Sequence, residues 1–151
     1  SDDKVIKIGA SPEPHAQILN LVADDLKNEG YELKIVEFTD YIQPNFALAE
    51  KELDANFFQH LPYLQDFSEK NNLELVSLAN IHLEPMGLYS NKFQDINKLK
   101  DGSVIAIPND TVNGGRALLL LEDKGLIKLK EGVGLDATKE DIAENPKSLK
   151  P

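Results

Sequence analysis

Apolar and polar positions in the first half of the chain alternate between strand-like and helix-like patterns. Four short apolar runs have the composition and length of strands: residues 5–9, 31–38, 54–58 and 73–78. Three stretches between them repeat apolar residues at helical spacing: residues 16–28, 46–49 and 61–67. Because strands separated by helices are joined by crossover connections, this order predicts an α/β fold with parallel pairing.

The second half restarts the pattern after the break at Pro85, Met86 and Gly87. It predicts a strand, a helix, a short apolar stretch and a further helix: residues 103–107, 114–124, 126–129 and 139–144. The charge also changes at this break. Residues 1–87 contain 16 Asp or Glu and 6 Lys, which gives the whole net charge of −10, whereas residues 88–151 have no net charge. We therefore expect two α/β lobes, 1–87 and 88–151, with a ligand cleft between them.

Composition narrows the classes of protein that fit this pattern. Hydrophobic residues make up 41% of the 151 residues, as in a globular chain, and no apolar run reaches the roughly 18 residues of a membrane span. With 16 basic against 26 acidic residues, the chain has no basic face for nucleic acid. It contains no cysteine, which excludes disulfides, thiolate metal ligands and thiol catalysis, and which favours an exported protein.

Arg116 is the single arginine of the chain, and it lies in the first turn of the helix predicted after strand 103–107. Ligands of open α/β sheets bind beyond the carboxyl ends of strands, and a helix N-terminus attracts anions. The planar guanidinium suits a carboxylate or a phosphate, and the amide of Asn113 can donate or accept beside it. Two interpretations stay open: Arg116 binds an anion, or it pairs with a surface carboxylate. Gly114 and Gly115 fit either close approach of a ligand or a helix entry with positive φ.

A second candidate site is aromatic and lies where the predicted strand 54–58 meets the helix 61–67. Phe58 and His60 fall on the same side by the two-residue alternation of a strand, and Tyr41 occupies an equivalent turn. Tyr41, Phe58 and His60 together offer the apolar faces and polar edges of a small-molecule pocket. In the alternative interpretation Phe57, Phe58 and Tyr63 belong to the core, and His60 is a capping or otherwise hydrogen-bonded histidine.

Signals for metal or nucleophilic chemistry are weaker. His60, His82 and Glu84 are residue types that bind zinc, and they define an alternative function as a metal-dependent hydrolase, but no zinc-motif spacing joins them. No GxSxG sequence surrounds a serine, so a nucleophile elbow is absent. Three loop carboxylates are expected to cap helices and to form turns: Asp40, Asp54 and Asp110.

Three blocks of sequence resemble the methionine-binding lipoproteins of the NlpA/MetQ type, the substrate-binding proteins of methionine ABC transporters: residues 38–45, 54–64 and 107–121. Three shorter blocks extend the resemblance over essentially the whole chain: residues 126–130, 132–135 and 144–147. The resemblance implies a type II periplasmic-binding-protein-like fold of two α/β lobes, without enzymatic activity or cofactor. It implies L-methionine or a related amino acid as ligand, ABC permease subunits as partners, and a lipid anchor at the outer face of the bacterial membrane on a cysteine upstream of Ser1.

Residue by residue, the resemblance implies that Tyr41, Phe58 and His60 line the pocket for the ligand side chain. It implies that Arg116 binds the carboxylate of the amino acid, with Asn113 beside it. Members of the family continue beyond the length of this chain, so the second lobe is expected to be incomplete.

Three classes of function are therefore to be separated: a solute-binding protein, a metal-dependent hydrolase, and a pair of lobes that binds nothing and serves as a surface domain. The four consecutive leucines 118–121 are too many for one buried helical stripe. Because an incomplete lobe leaves strand edges and apolar surface uncovered, we expect dimerisation or exchange of elements around residues 103–151.

Overall fold

The computed structural model describes residues 2–151, which divide into two units. Unit 1 ends at Leu78, and unit 2 comprises Ala79–Pro151. The lobe boundary expected from the sequence lies a few residues later, after Gly87, and it stays a prediction. None of the helices in this part of the chain combines the length and the apolar character needed to cross a membrane.

Unit 1 contains a three-stranded parallel sheet. Its strands are β1 Val5–Ala10, β2 Glu32–Glu37 and β3 Ala55–Phe57, and their order in the sheet is β2–β1–β3. In the central strand β1, Ile8 lies opposite Ile35 of β2 and Ala55 of β3. These three predicted strands and their parallel pairing are therefore confirmed.

Three helices accompany this sheet: α1 Gln17–Asn28, α2 Gln43–Ala49 and α3 Leu61–Asn71. Pro44 and Pro62 stand in the first turns of α2 and α3, where the missing N–H of proline costs no helical hydrogen bond. Gly30 follows α1 with φ +89°, and Asn72 follows α3 with φ 53°, and both residue types tolerate this left-handed conformation at a helix end. The helices predicted for the first half are confirmed.

Two loop carboxylates of unit 1 hold the backbone. Asp40 Oδ1 accepts hydrogen bonds from the backbone N–H groups of Ile42 and Gln43, at 2.8 and 2.7 Å, where α2 begins. Asp54 accepts from the backbone N–H of Lys7 in β1 at 2.8 Å. The capping role predicted for Asp40 is confirmed, whereas Asp54 holds a strand rather than a helix end or a turn.

Residues 73–78 do not form the predicted strand. No segment of residues 2–151 pairs with them, and Val76 and Leu78 are 79% and 84% exposed. The backbone hydrogen bonds of a strand are made to its neighbour, so an alternating apolar pattern without a pairing partner gives no strand. The prediction of a fourth strand in this half is wrong for that reason.

Unit 2 is built around one helix, α4 Thr111–Asp123, and a short antiparallel sheet. The two strands of this sheet are β4 Lys128–Leu129 and β5 Ile142–Glu144. Leu118 and Leu121 of α4 are 1% and 2% exposed and form the centre of the core. The flanking segments supply the other buried members of this core: Ile105, Leu126, Ile127, Leu129, Ala137 and Leu149.

Two predicted elements of unit 2 are wrong. Residues 103–107 make one isolated parallel bridge, between Val104 and Lys150, and do not form a strand because the pairing does not continue. Residues 139–144 do not form a helix: Lys139–Asp141 make a single 3₁₀ turn, and the chain then continues as β5 against β4. So short a segment gains little from helical hydrogen bonds, and pairing with β4 satisfies the backbone instead.

Three of the four consecutive leucines of α4 lie in or against the core of unit 2. Two of them lie in the core, and half-buried Leu119 packs against it. Leu120 lines an apolar hollow of about 160 Å³ together with Met86 and Leu88. The helix therefore buries leucines on more than one face, against loop segments rather than against a broad sheet.

Candidate functional site

A chain of hydrogen bonds leads from Asp110, which caps α4, to Arg116 in the second turn of the helix. One oxygen of Asp110 accepts from the backbone N–H of Asn113 at 2.8 Å, and the other accepts from its side-chain amide at 3.2 Å. The amide oxygen of Asn113 accepts from Nη1 of Arg116 at 2.9 Å. The capping role predicted for Asp110 is confirmed, and the three-residue spacing brings Asn113 and Arg116 together on one helix face.

Arg116 is half-buried, and its partners are neutral. Besides the amide of Asn113, the backbone carbonyl of Glu84 lies 3.5 Å from its Nη2. Within residues 2–151 the guanidinium forms no ion pair, so pairing with a surface carboxylate is not observed there. A guanidinium has five N–H donors, which leaves several for a further acceptor. The arrangement can therefore bind an anion.

Gly114 and Gly115 serve packing, which neither interpretation from the sequence anticipated. Both lie inside α4 and are buried. A Cβ atom at Gly115 would stand 2.2 Å from the carbonyl oxygen of Leu135, and one at Gly114 would stand 3.0 Å from that of Pro108. The two glycines therefore let neighbouring loops approach the helix closely, and neither ligand approach nor a positive φ is needed to explain them.

Tyr41 and Phe58 are brought together in unit 1 as a stacked pair, with ring centroids 5.7 Å apart and an interplanar angle of 24°. Phe58 is 5% exposed, whereas Tyr41 is 50% exposed. Tyr63 of α3 supports the pair, because its hydroxyl donates to the backbone carbonyl of Tyr41 at 2.6 Å and its ring lies edge-on to Phe58. Phe58 and Tyr63 thus belong to the core, as the alternative interpretation holds, while half of Tyr41 is accessible.

His60 is half-buried and occupies the position that precedes α3. Its backbone is extended, with φ −93° and ψ 162°, and its side chain makes no capping hydrogen bond to the helix. Because β3 ends at Phe57, Phe58 and His60 lie beyond the strand, and the alternation that placed them on one side does not apply. The premise of that prediction is wrong, since the chain leaves the sheet earlier than its apolar pattern suggests.

The sequence did not reveal a group of three amides in unit 1, which consists of buried Asn45 of α2 and half-buried Asn56 of β3 and Gln59. Asn45 is fully buried and pairs reciprocally with Gln59: its Nδ2 donates to Oε1 at 2.8 Å, and its Oδ1 accepts from Nε2 at 2.7 Å. Asn56 donates to Asn45 Oδ1 at 2.9 Å and to the backbone carbonyl of Pro44 at 3.1 Å. We call these three residues the amide network.

Only one orientation of the amide network is consistent. The carbonyl of Pro44 can only accept, so the NH₂ group of Asn56 must face it. The same NH₂ group donates to Asn45, so the oxygen of Asn45 must face Asn56, and the NH₂ group of Gln59 must face that oxygen. The network ties α2 to β3, and with them Tyr41, which precedes α2. Three amides that lie next to aromatic residues within residues 44–59 were the signal in the sequence that could have revealed it.

His82 and Glu84 pair with each other in unit 2, with 2.5 Å between Nε2 and Oε1. The two side chains are 25% and 50% exposed and lie on a segment without regular secondary structure. A pairing of this kind satisfies an exposed histidine without any metal. It adds nothing in favour of the hydrolase interpretation.

The chain has close relatives among known proteins. The family model described as NlpA lipoprotein matches residues 6–151. The methionine-binding lipoprotein MetQ of Bacillus subtilis is 44% identical over 151 residues, a match that covers 99% of this chain and 55% of that protein. The chain thus spans about half the length of the curated relatives it matches.

Two solved structures share its fold. A nutrient-binding protein from Burkholderia cenocepacia bound to methionine is 44% identical with a TM-score of 0.90, and the match covers 96% of this chain and 62% of that one. An ABC transporter periplasmic substrate-binding protein from Coxiella burnetii is 43% identical with a TM-score of 0.88, over 96% and 61% of the two chains. These likenesses confirm the predicted α/β periplasmic-binding-protein fold, of which this chain represents a part.

Proposed function

The chain belongs to the NlpA lipoprotein family, and from that premise we propose that it binds methionine, or a close relative, for an ABC importer. The names of related proteins support the proposal, since one is called a methionine-binding lipoprotein and another an ABC transporter substrate-binding protein. A solved relative with methionine bound supports the same class of ligand. Because the chain spans only part of these proteins, the activity of the whole protein is itself part of the proposal.

Arg116 is the observation that carries the proposal. A half-buried cation held by two neutral acceptors has a charge that an anionic ligand can balance, and an α-carboxylate matches its planar fork with two parallel hydrogen bonds. Asn113 uses one amide N–H on Asp110 and its oxygen on Arg116, so its second N–H is available to the same carboxylate. We assign the carboxylate of the amino acid to Arg116 and Asn113.

We assign the side chain of the ligand to Tyr41, Phe58 and His60. The stacked pair of Tyr41 and Phe58 supports this assignment, because a thioether makes favourable contacts with aromatic rings. The half-exposed Tyr41 provides the accessible part of this aromatic surface. The amide network joins α2, which follows Tyr41, to Gln59, which follows Phe58.

The proposal extends to the cellular setting of the protein. It includes ABC permease subunits as partners and a lipid anchor at the outer face of the bacterial membrane, on a cysteine upstream of Ser1. A substrate-binding protein needs no catalytic group, so we propose no enzymatic activity, and the relatives lend no support to a hydrolase that uses His60, His82 and Glu84. Dimerisation or exchange of elements through residues 103–151 stays a prediction without support from the relatives.

Isothermal titration with L-methionine, D-methionine, a methionine dipeptide and lysine tests the proposed function. We expect saturable heat with methionine or its close relatives and none with lysine. Arg116→Lys keeps the charge but loses the fork, so its affinity is expected to fall roughly tenfold or more. The control Lys98→Arg exchanges the same two cations at an exposed position and should bind as the wild type does. Absence of heat with every ligand, or an Arg116→Lys variant of unchanged affinity, contradicts the proposal.

A further inference from the structure

The hydrogen bonds that join Asp110, Asn113 and Arg116 have only one consistent orientation. A carboxylate accepts and a guanidinium donates, so the amide between them must turn its NH₂ group to Asp110 and its oxygen to Arg116. Both oxygens of Asp110 are used in this arrangement, one on the backbone N–H of Asn113 and one on its side chain. The carboxylate thus sets the orientation of the amide that holds the guanidinium.

We propose that Asp110 is a positioning residue for Arg116 and acts through the side-chain amide of Asn113. The amide also separates the carboxylate from the guanidinium, so Asp110 orients Arg116 without pairing with it and leaves its charge to a ligand. For the ligand carboxylate this inference rests on the function proposed above. A residue that only capped α4 would need one oxygen, and the second hydrogen bond to Asn113 is what distinguishes the two roles.

Two substitutions separate positioning from capping, because both replacements are good helix caps. In Asp110→Asn, the new amide oxygen can accept from the backbone N–H of Asn113, but its NH₂ group then faces the NH₂ group of that side chain. Asn113 must turn over, and its NH₂ group then faces Arg116, donor against donor. In Asp110→Ser, the cap remains and the second acceptor is absent, so Asn113 is not forced to turn over, but its side-chain amide is then held by Arg116 alone. The asparagine variant, although closer in shape, is expected to be the more harmful.

Nuclear magnetic resonance can measure how firmly the guanidinium of Arg116 is held in the absence of ligand. Arg116 is the only arginine, so its Nε and Nη signals need no further assignment. We expect hindered rotation of the Nη groups in the wild type, rotation that is severalfold faster in Asp110→Asn, and an intermediate rate in Asp110→Ser. Asp101→Asn removes the same charge at an exposed position of unit 2 and should leave the rotation as it is. Thermal melts check that each variant remains folded.

Titration with L-methionine and with L-methioninol, which lacks the carboxylate, completes the test. The affinity for methionine should fall roughly tenfold in Asp110→Asn and less in Asp110→Ser, because a misdirected guanidinium loses hydrogen bonds to a charged group. The affinity for methioninol should change little. Equal rotation rates and equal affinities in the wild type and Asp110→Asn overturn the inference while the proposed function stands. If neither the wild type nor any variant binds methionine but rotation is faster in Asp110→Asn, the proposed function fails and the positioning of Arg116 by Asp110 stands.

Discussion

Replacing Asn45 with alanine removes three hydrogen bonds from the interior of unit 1. The variant lacks the two hydrogen bonds between Asn45 and Gln59 and the one that Asn45 accepts from Asn56. Asn56 keeps the carbonyl of Pro44 as an acceptor, and the NH₂ group of Gln59 keeps a longer bond of 3.3 Å to Asn56. The carbonyl oxygen of Gln59 is left without a donor among residues 2–151.

The expected loss of stability follows from these lost hydrogen bonds. A buried polar group without a partner costs about 1–3 kcal/mol, and the half-buried carbonyl of Gln59 falls in the lower part of this range, to which the weakened donors of the other two amides add. We therefore expect Asn45→Ala to lower the free energy of unfolding by about 2 kcal/mol. Asn20→Ala is a matched control on the exposed face of α1, where the change should stay within about 0.5 kcal/mol or stabilise slightly, since alanine favours helices.

Asn45→Asp adds a pH test to the same position. The aspartate keeps one acceptor for Asn56 and Gln59, but its second oxygen faces the carbonyl oxygen of Gln59, acceptor against acceptor. Burial raises the pKa of a carboxyl group placed there, and the protonated form can donate to Gln59 as the amide did. Because the folded state then binds the proton more tightly than the unfolded state, the deficit of the variant relative to wild type shrinks as pH falls.

Urea unfolding followed by circular dichroism, for wild type and variants at about pH 7 and about pH 4.5, measures both effects. We expect Asn45→Ala to keep its deficit at both values and Asn45→Asp to recover part of its own in acid. An Asn45→Ala variant as stable as Asn20→Ala would refute the reasoning about the amide network. A deficit of Asn45→Asp that is the same at both values would refute its electrostatic part.

Two further substitutions test packing. Gly115→Ala should destabilise unit 2 although alanine favours helices, because the new Cβ would stand 2.2 Å from the carbonyl oxygen of Leu135. A melting temperature above that of the wild type would contradict this close approach. Tyr63→Phe should lower the free energy of unfolding by about 1 kcal/mol, because the variant loses the hydrogen bond to the carbonyl of Tyr41. In denaturant titrations the control Tyr89→Phe, at an 86% exposed position, should leave the free energy of unfolding unchanged. Equal effects of the two substitutions would argue against this hydrogen bond.

The parts of the fold that follow local rules could be predicted from the sequence. Strands β1 to β3 and helices α1 to α3 have clear apolar periods, and Gly30 and Asn72 end α1 and α3. The failures all concern segments whose structure depends on a partner elsewhere in the chain. Residues 73–78 have the pattern of a strand but no neighbour to pair with, and residues 139–144 pair with β4 instead of coiling.

The candidate site divides in the same way. The spacing of Asn113 and Arg116 on a helix predicts their contact, and the single arginine of the chain draws attention to it. The reasons for Gly115 and Asn45 could not be predicted, because each depends on a group distant in sequence: the carbonyl of Leu135 in one case and the amide of Gln59 in the other. Periodicity reports which face of an element is buried, but not which group meets it there.

The central claim is the proposal that the chain binds methionine, with the carboxylate of the ligand assigned to Arg116 and its side chain to Tyr41 and Phe58. The most direct test is a titration with L-methionine in which the guanidinium signals of Arg116 and the ring signals of the two aromatic residues are followed in the same sample. The account predicts that both sets of signals shift with a single dissociation constant. Shifts confined to one set, two different dissociation constants, or no shift at saturating methionine would contradict it.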